Sequence, residues 1–180
     1  MAHKDEVIAQ TKWLEFIKRN YSNGKYSGEW DFVRRVSKVG RKPIVVIIAR
    51  TIVTKSFIVI KQYRAPFDDY NYEVPAGLVD DDEKLSEASL RELKEETGYT
   101  GNVISISGPI ASSAGMTDEV THMVYIDVHE EPSFKPSPEA TEDIEVIKLH
   151  PNNIREFLKM NEEGGHVFGA KLYSVLKEQV

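Results

Sequence analysis

The chain has 180 residues, 41% hydrophobic and 29% charged, with a net charge of -6 and no cysteine. That is a globular composition, long enough for one domain with a full core or one domain plus a small appendage. It excludes disulfide and thiolate chemistry, and the acidic balance gives no support for a nucleic-acid surface.

The N-terminal MAHKDEVIAQTKW lacks the apolar stretch of a secretory signal, and no run approaches a membrane span, so a cytoplasmic protein is expected. Asn23-Gly24 separates two segments rich in aromatic and β-branched residues, a strong hairpin signal that predicts strands over 12–21 and 25–36. An amphipathic helix over 5–19 is the competing reading. Residues 43–49 (PIVVIIA) and 57–64 (FIVIKQYR) are short apolar runs and read as buried strands. Residues 73–77 (EVPAG) read as a strand end turning into a loop. A helix is predicted over 85–97, with acidic residues near its start and Gly98 just past its end.

Strands follow near 103–110, 122–129 and 143–149. The run from His129 to Asp143 is rich in proline and glutamate and reads as a mobile acidic loop. Helices are predicted over 151–162 and 166–178, the second burying Phe168, Leu172, Val175 and Leu176. The pattern implies an α/β layered fold with a mixed sheet between helices, preceded by a small N-terminal β-hairpin. The expected division is an N-terminal β subdomain over 1–40 and a main domain over 41–180.

The helix carries the chemistry. At roughly 100° per residue, Glu92 and Glu96 point almost the same way and Glu95 lies to one side. Like charges at this spacing destabilise a helix. The adjoining stripe of Leu85, Ala88, Leu90 and Leu93 places Glu92 and Glu96 at the edge of the core. Crowded, half-buried carboxylates call for a cation, and a hard ion such as Mg²⁺ takes oxygen ligands while keeping waters for phosphates. A solvated acidic helix is the alternative for any glutamate-rich run.

The spacing is more specific than composition. Gly77, Glu83, Arg91-Glu92-Leu93, Glu95-Glu96 and Gly98-Tyr99 stand at every fixed position of the Nudix box, so residues 77–99 resemble that signature of Mg²⁺-dependent hydrolases. The resemblance implies a Nudix α/β/α sandwich. It implies metal ligands at Glu92, Glu95, Glu96 and the carbonyl of Ala76, Mg²⁺ with Mn²⁺ as a substitute, and Arg91 pairing with the box carboxylates. In the resemblance Glu95 matches a further ligand or orienting carboxylate, and Glu83 is expected to serve the fold more than the metal. Glu142 matches the loop carboxylate that acts as general base in the nearest branch, with Glu139 as runner-up.

Gln62-Tyr63-Arg64 followed by Glu73-Val74-Pro75-Ala76-Gly77 resembles the ADP-ribose and ADP-sugar pyrophosphatase branch. In that branch two tryptophans sandwich the nucleobase, and the N-terminal strands exchange between subunits of a homodimer. Trp13 and Trp30, the only tryptophans, fall at those positions. Arg35, Arg64, Glu73, Gly115 and Met116 are the further substrate-binding candidates. Ala114 replaces the proline usual in that branch, which brings GDP-mannose and other nucleoside diphosphate sugars beside ADP-ribose. Removal of oxidised nucleotides is another enzymatic alternative. A non-catalytic nucleotide sensor would have lost a box glutamate, and none is lost.

Overall fold

The computed structural model describes residues 5–36, 42–139 and 142–180. Three strands come first: β1 (Asp5–Gln10), β2 (Leu14–Ser22) and β3 (Ser27–Arg35), forming an antiparallel sheet in the order β1-β2-β3. The Asn23-Gly24 turn joins β2 to β3, with Gly24 at φ +85° and the Asn23 side chain accepting from the N–H groups of Lys25 and Tyr26. The helix considered over 5–19 is absent; that stretch is two strands around a Thr11-centred turn. The expected hairpin is correct but incomplete, because β1 adds a third strand. The expected boundary between 40 and 41 falls outside the described residues.

The main sheet contains β4 (Ile44–Thr51), β5 (Phe57–Arg64), β6 (Asp69–Glu73), β7 (Ala76–Leu78), β8 (Gly101–Ile106), β9 (Ile110–Ala111), β10 (Val120–Val128), β11 (Ile144–Leu149) and β12 (Val167–Phe168). Its path runs β12-β6-β5-β4-β10-β8, with β11 on β5, β7 on β4 and β9 on β10. The β4–β10 and β6–β12 pairs are parallel and the others antiparallel, so the sheet is mixed.

Strand β4 explains why the sheet is covered twice. Its side chains alternate between faces, and both faces are apolar. Val46 and Ile48 join Phe57, Val59 and Leu149 in a core under α2 (Ile154–Glu162) and α3 (Ala170–Lys177). Val45, Ile47 and Ala49 join Ile58, Val124 and Ile126 in a second core under α1 (Leu85–Thr97), which contributes Ala88 and Leu93. The result is helix, sheet, helix, the expected α/β/α sandwich.

The C-terminal helices need two corrections. Residues 151–153 form a 3-10 turn, and α2 starts after it. Phe168 is not on the last helix: it belongs to β12, and Gly169 breaks the chain before α3 begins. Phe168 still packs on the core, against Tyr72 and Phe157.

Candidate active site

Helix α1 has the predicted ends. Gly98 closes it at φ +75°, donating its N–H to the Lys94 carbonyl at 2.9 Å. A Cβ on Gly98 would also stand 2.2 Å from the Phe134 carbonyl oxygen, so glycine is required there twice over. The acidic run is more tethered than its composition suggests. The N–H groups of Ser133 and Phe134 donate to the Gly98 carbonyl, and that of Ser137 to the Glu95 carbonyl at 2.8 Å. These are carbonyls at a helix end that need outside partners.

Arg91 organises the carboxylates. Its guanidinium holds Glu83 through two bonds of 2.9 Å, the Leu78 carbonyl at 3.0 Å, Glu92 Oε1 at 2.9 Å and Glu95 Oε2 at 3.2 Å. Glu83 also accepts from the Asp80 N–H, so it is committed to the loop before the helix. The Glu92 carboxylate fills the space that a side chain on Gly77 would take. Its Oε1 is used by Arg91, leaving Oε2 for another partner. Burial raises the Glu92 carboxyl, against the opposing pull of Arg91.

Glu96 differs from its neighbours. It is 3% exposed, and its Oε2 has no hydrogen-bond partner. Burial is the largest influence on it, and the nearby Glu142 and Glu92 carboxylates add to it. The Ala76 N–H and Arg64 offset only part, so the group is pushed up to about 9. Among the described residues, no three histidine or acidic side chains stand close enough to form a ready-made metal cage. The donors nonetheless suit a hard cation: all are oxygens, and one of them is buried and orphaned.

Arg64, on β5, makes a bidentate pair with Glu73 on β6, both bonds 2.8 Å, and its charge is felt at Glu96 and Glu142. Glu73, Arg64, Ala76, Glu92, Glu96 and Glu142 are thus brought to one region. Glu142, half-buried, hydrogen-bonds with Glu139 in both directions: its N–H donates to the Glu139 carbonyl at 2.9 Å, and its Oε2 accepts the Glu139 N–H at 3.0 Å. Ala140 and Thr141, between these two glutamates, lie outside the described residues.

The remaining candidates gather where β3 meets the 112–119 loop. The Val33 N–H donates to the Met116 carbonyl at 2.8 Å, and Trp30 Nε1 to the Gly115 carbonyl at 3.1 Å. Arg34 pairs with Asp118 at 2.9 Å and Arg35 with Glu119 at 2.5 Å. A cleft of about 560 Å³ opens here, lined by Tyr21, Trp30, Phe32, Ala114 and Thr117 among others. Trp13 is not part of it: it stands at the β1–β2 turn, 67% exposed, with Lys12 over its ring.

Comparison with known proteins decides the family: the NUDIX domain model matches residues 40–168. The chain belongs to the Nudix hydrolase family. This Nudix protein is 32% identical to the ADP-sugar pyrophosphatase of Mus musculus over 160 residues, 83% of this chain and 73% of the relative. It is 30% identical to the ADP-ribose pyrophosphatase of Saccharomyces cerevisiae over 165 residues, 85% of this chain and 71% of the relative. Its fold matches the crystal structure of an ADP compounds hydrolase with a TM-score of 0.61 at 19% identity, covering 88% of this chain and 84% of the other. It is therefore a Nudix hydrolase related to the ADP-sugar and ADP-ribose pyrophosphatases.

Sequence reasoning missed several participants. The Arg64–Glu73 pair joins β5 to β6 across nine residues, a contact that the local pattern of neither strand reveals. The ion pairs from Arg34 and Arg35 to the 118–119 acids join segments about 84 residues apart, which no local pattern reveals. The bond from the Tyr70 hydroxyl to the Asp143 carboxylate likewise joins residues 73 apart.

Proposed function

We propose that this Nudix hydrolase cleaves the pyrophosphate of nucleoside diphosphate sugars, with ADP-ribose the first choice and AMP and ribose 5-phosphate the products. The observation that carries the reading is Glu96, a buried carboxylate with an unpartnered oxygen beside Glu92 and Glu142. An ionised carboxylate buried here without a partner would cost several kcal/mol, so the arrangement makes sense as the protein half of a cation site. Glu92, Glu95, Glu96 and the Ala76 carbonyl would hold Mg²⁺, or Mn²⁺ in its place. When bound, the ion would supply neutralisation of phosphate charge and a lowered pKa for the attacking water.

The chain's own residues do the rest. Glu142 takes the proton of the water as its oxygen bonds to phosphorus and the bridging P–O bond breaks. Arg64, held flat by Glu73, presents its remaining N–H groups to substrate oxygens, and Arg35 adds a second cation. Glu95, tied to Arg91, orients the cluster. The backbone at Gly115 and Met116 shapes the substrate side.

The tryptophans support a homodimer. Trp30 pairs with Arg19, and the Val36 N–H bonds to the Trp13 carbonyl, so the two lie six residues apart along β3. At about 3.3 Å per residue that is about 20 Å, far more than the thickness of one base. One protomer cannot sandwich a base between them, whereas exchanged N-terminal strands can. Val7, Ile8, Leu14 and Phe16, all between 41% and 49% exposed, offer the partner an apolar surface. In this reading residues 1–40 are the dimerising, base-binding subdomain and 41–180 the hydrolase domain, acting in the cytoplasm without membrane or nucleic-acid partners. None of the described helices is long and apolar enough to cross a membrane.

The test is a panel of nucleoside diphosphate sugars incubated with Mg²⁺, with products identified. GDP-mannose belongs in it because Ala114 stands where the branch carries proline. AMP and ribose 5-phosphate from ADP-ribose at the highest kcat/KM is the expected outcome. Hydrolysis confined to nucleoside triphosphates would overturn the reading.

A further inference from the structure

Tyr70 stands on β6 directly opposite Tyr63 of β5, and its hydroxyl donates to the Asp143 carboxylate. The Tyr63 N–H donates to the Asp143 carbonyl at 3.3 Å. Asp143 is therefore gripped at both its side chain and its backbone. It lies immediately after Glu142 and immediately before β11, whose first residue Ile144 pairs with Gln62. The Tyr70 ring is itself fixed, edge-on to Tyr63 at 5.7 Å, with the Lys61 ammonium 5.0 Å from its centre. The hydrogen bond to Asp143 raises the Tyr70 phenol above its ordinary value, so the hydroxyl remains a donor at neutral pH.

We propose that Tyr70 is a positioning residue: by holding Asp143, it fixes where the loop leaves the sheet and so the stance of Glu142 toward Glu96 and Glu92. The proposal rests on the reading of Glu142 as the general base. Upstream, among the described residues, Glu142 exchanges bonds with Glu139, three residues away on the same loop, and the next tie to the fold is Ser137, whose N–H donates to the Glu95 carbonyl. The Tyr70–Asp143 bond is the side-chain tie from the loop's end to the rigid sheet. Glu142 must meet a water at a set distance and angle, and displacements of about 1 Å can cost about 10²-fold in rate. Removing the Tyr70 hydroxyl frees the Asp143 side chain, leaving its carbonyl on the Tyr63 N–H, and does not touch the core, since Tyr70 is only half-buried.

The experiment measures kcat, KM and Tm for Tyr70→Phe, Glu142→Gln, the double variant, Asp143→Asn and Asp143→Ala. It uses Mg²⁺ and whichever nucleoside diphosphate sugar is turned over fastest. Tyr70→Phe is expected to lower kcat about tenfold with KM and Tm kept, as a loss felt only in the transition state. Asp143→Asn retains an oxygen that accepts from the phenol and should keep most activity, while Asp143→Ala should match Tyr70→Phe. In the Glu142→Gln background, Tyr70→Phe should change kcat by less than about twofold, because the two act as one unit. Independent, multiplicative effects, or an unaltered Tyr70→Phe beside an impaired Glu142→Gln, would overturn the positioning role alone. A Glu142→Gln protein at the wild-type rate would overturn the general-base reading and the positioning role with it.

Discussion

The Glu92 carboxylate occupies the place of the side chain that Gly77 lacks. A Cβ on Gly77 would lie 2.0 Å from Glu92 Cδ, 2.1 Å from Oε1 and 2.4 Å from Oε2. Strand β7 and the second glutamate of the helix interlock through that one absent methyl group.

Gly77→Ala should therefore separate folding from function. The obstructing atoms are the far end of a flexible side chain, so Glu92 can swing away and the Tm should fall only slightly. Metal affinity and kcat should both drop, the latter by about 10²–10³, the usual cost of losing one positioned electrostatic group. Mg²⁺ titration of activity beside a melting curve checks this. A variant that keeps the wild-type Mg²⁺ dependence would show that the Glu92 position is immaterial.

Glu96→Gln should stabilise the metal-free protein, and more so as pH rises. The folded carboxyl sits at about 9, above its ordinary value of 4.5. Protonation thus favours the folded state, and that advantage is fully present only below the unfolded value. It is lost as pH climbs toward about 9, because the unfolded chain ionises freely while the folded one resists. Glutamine escapes the penalty. The Tm gap between Glu96→Gln and wild type in EDTA should be small at pH 4 and widen steadily towards pH 9, whereas Mg²⁺ should raise only the wild-type Tm. A gap that does not vary with pH would contradict the burial argument.

Arg64→Lys should weaken substrate binding although the charge is kept. Lysine cannot reproduce the two parallel bonds that Arg64 makes to Glu73 at 2.8 Å. With its orientation lost, KM should rise by about tenfold, equivalent to one charge-assisted hydrogen bond of about 1.5 kcal/mol. Steady-state kinetics decide it; an unchanged KM would remove Arg64 from the binding surface.

Trp13→Ala and Trp30→Ala should each raise KM, by stacking worth about 1–3 kcal/mol per base. If the pocket is shared, mixing the two variants after subunit exchange should restore activity. Half of the dimers would be mixed, and each of those would carry one intact site, giving about a quarter of the wild-type rate. No recovery on mixing, or a fully active 20.5 kDa species in light scattering, would refute the exchange.

The sequence was most legible where local physics dominates. Helix α1 ends at the residue before Gly98 because a left-handed cap can be read from composition, and β4 and β5 stand out because both faces are buried. Phe168 misled because apolar spacing alone cannot separate a two-residue strand from the first turn of a helix. Only the end of strand β6, at Glu73, was legible, because its polar residues are accommodated between distant partners, β5 on one side and β12 on the other. The anchoring of the acidic loop escaped notice because its donors along α1 are backbone N–H groups, which leave no side-chain signature, and the Tyr70 hydroxyl at its end lies 73 residues away in the chain. The candidate carboxylates of α1 could be placed from spacing, but their inequality could not: Glu96 is buried and orphaned while Glu95 leans on Arg91, and that difference arises from the surrounding sheet.

The acidic loop, tied along α1, sets a geometric limit on the chemistry. At Ser137 the chain is fastened to the helix that carries Glu92 and Glu96, and at Asp143 it is fastened to the sheet. Six residue steps, at most about 20 Å of chain, must carry Glu142 between those moorings. The number of residues in that span works as a tether length. Adding or removing one would retune the reach of Glu142 while leaving both cores and the box helix untouched, so this short interval is where such a scaffold could adapt to leaving groups of different size.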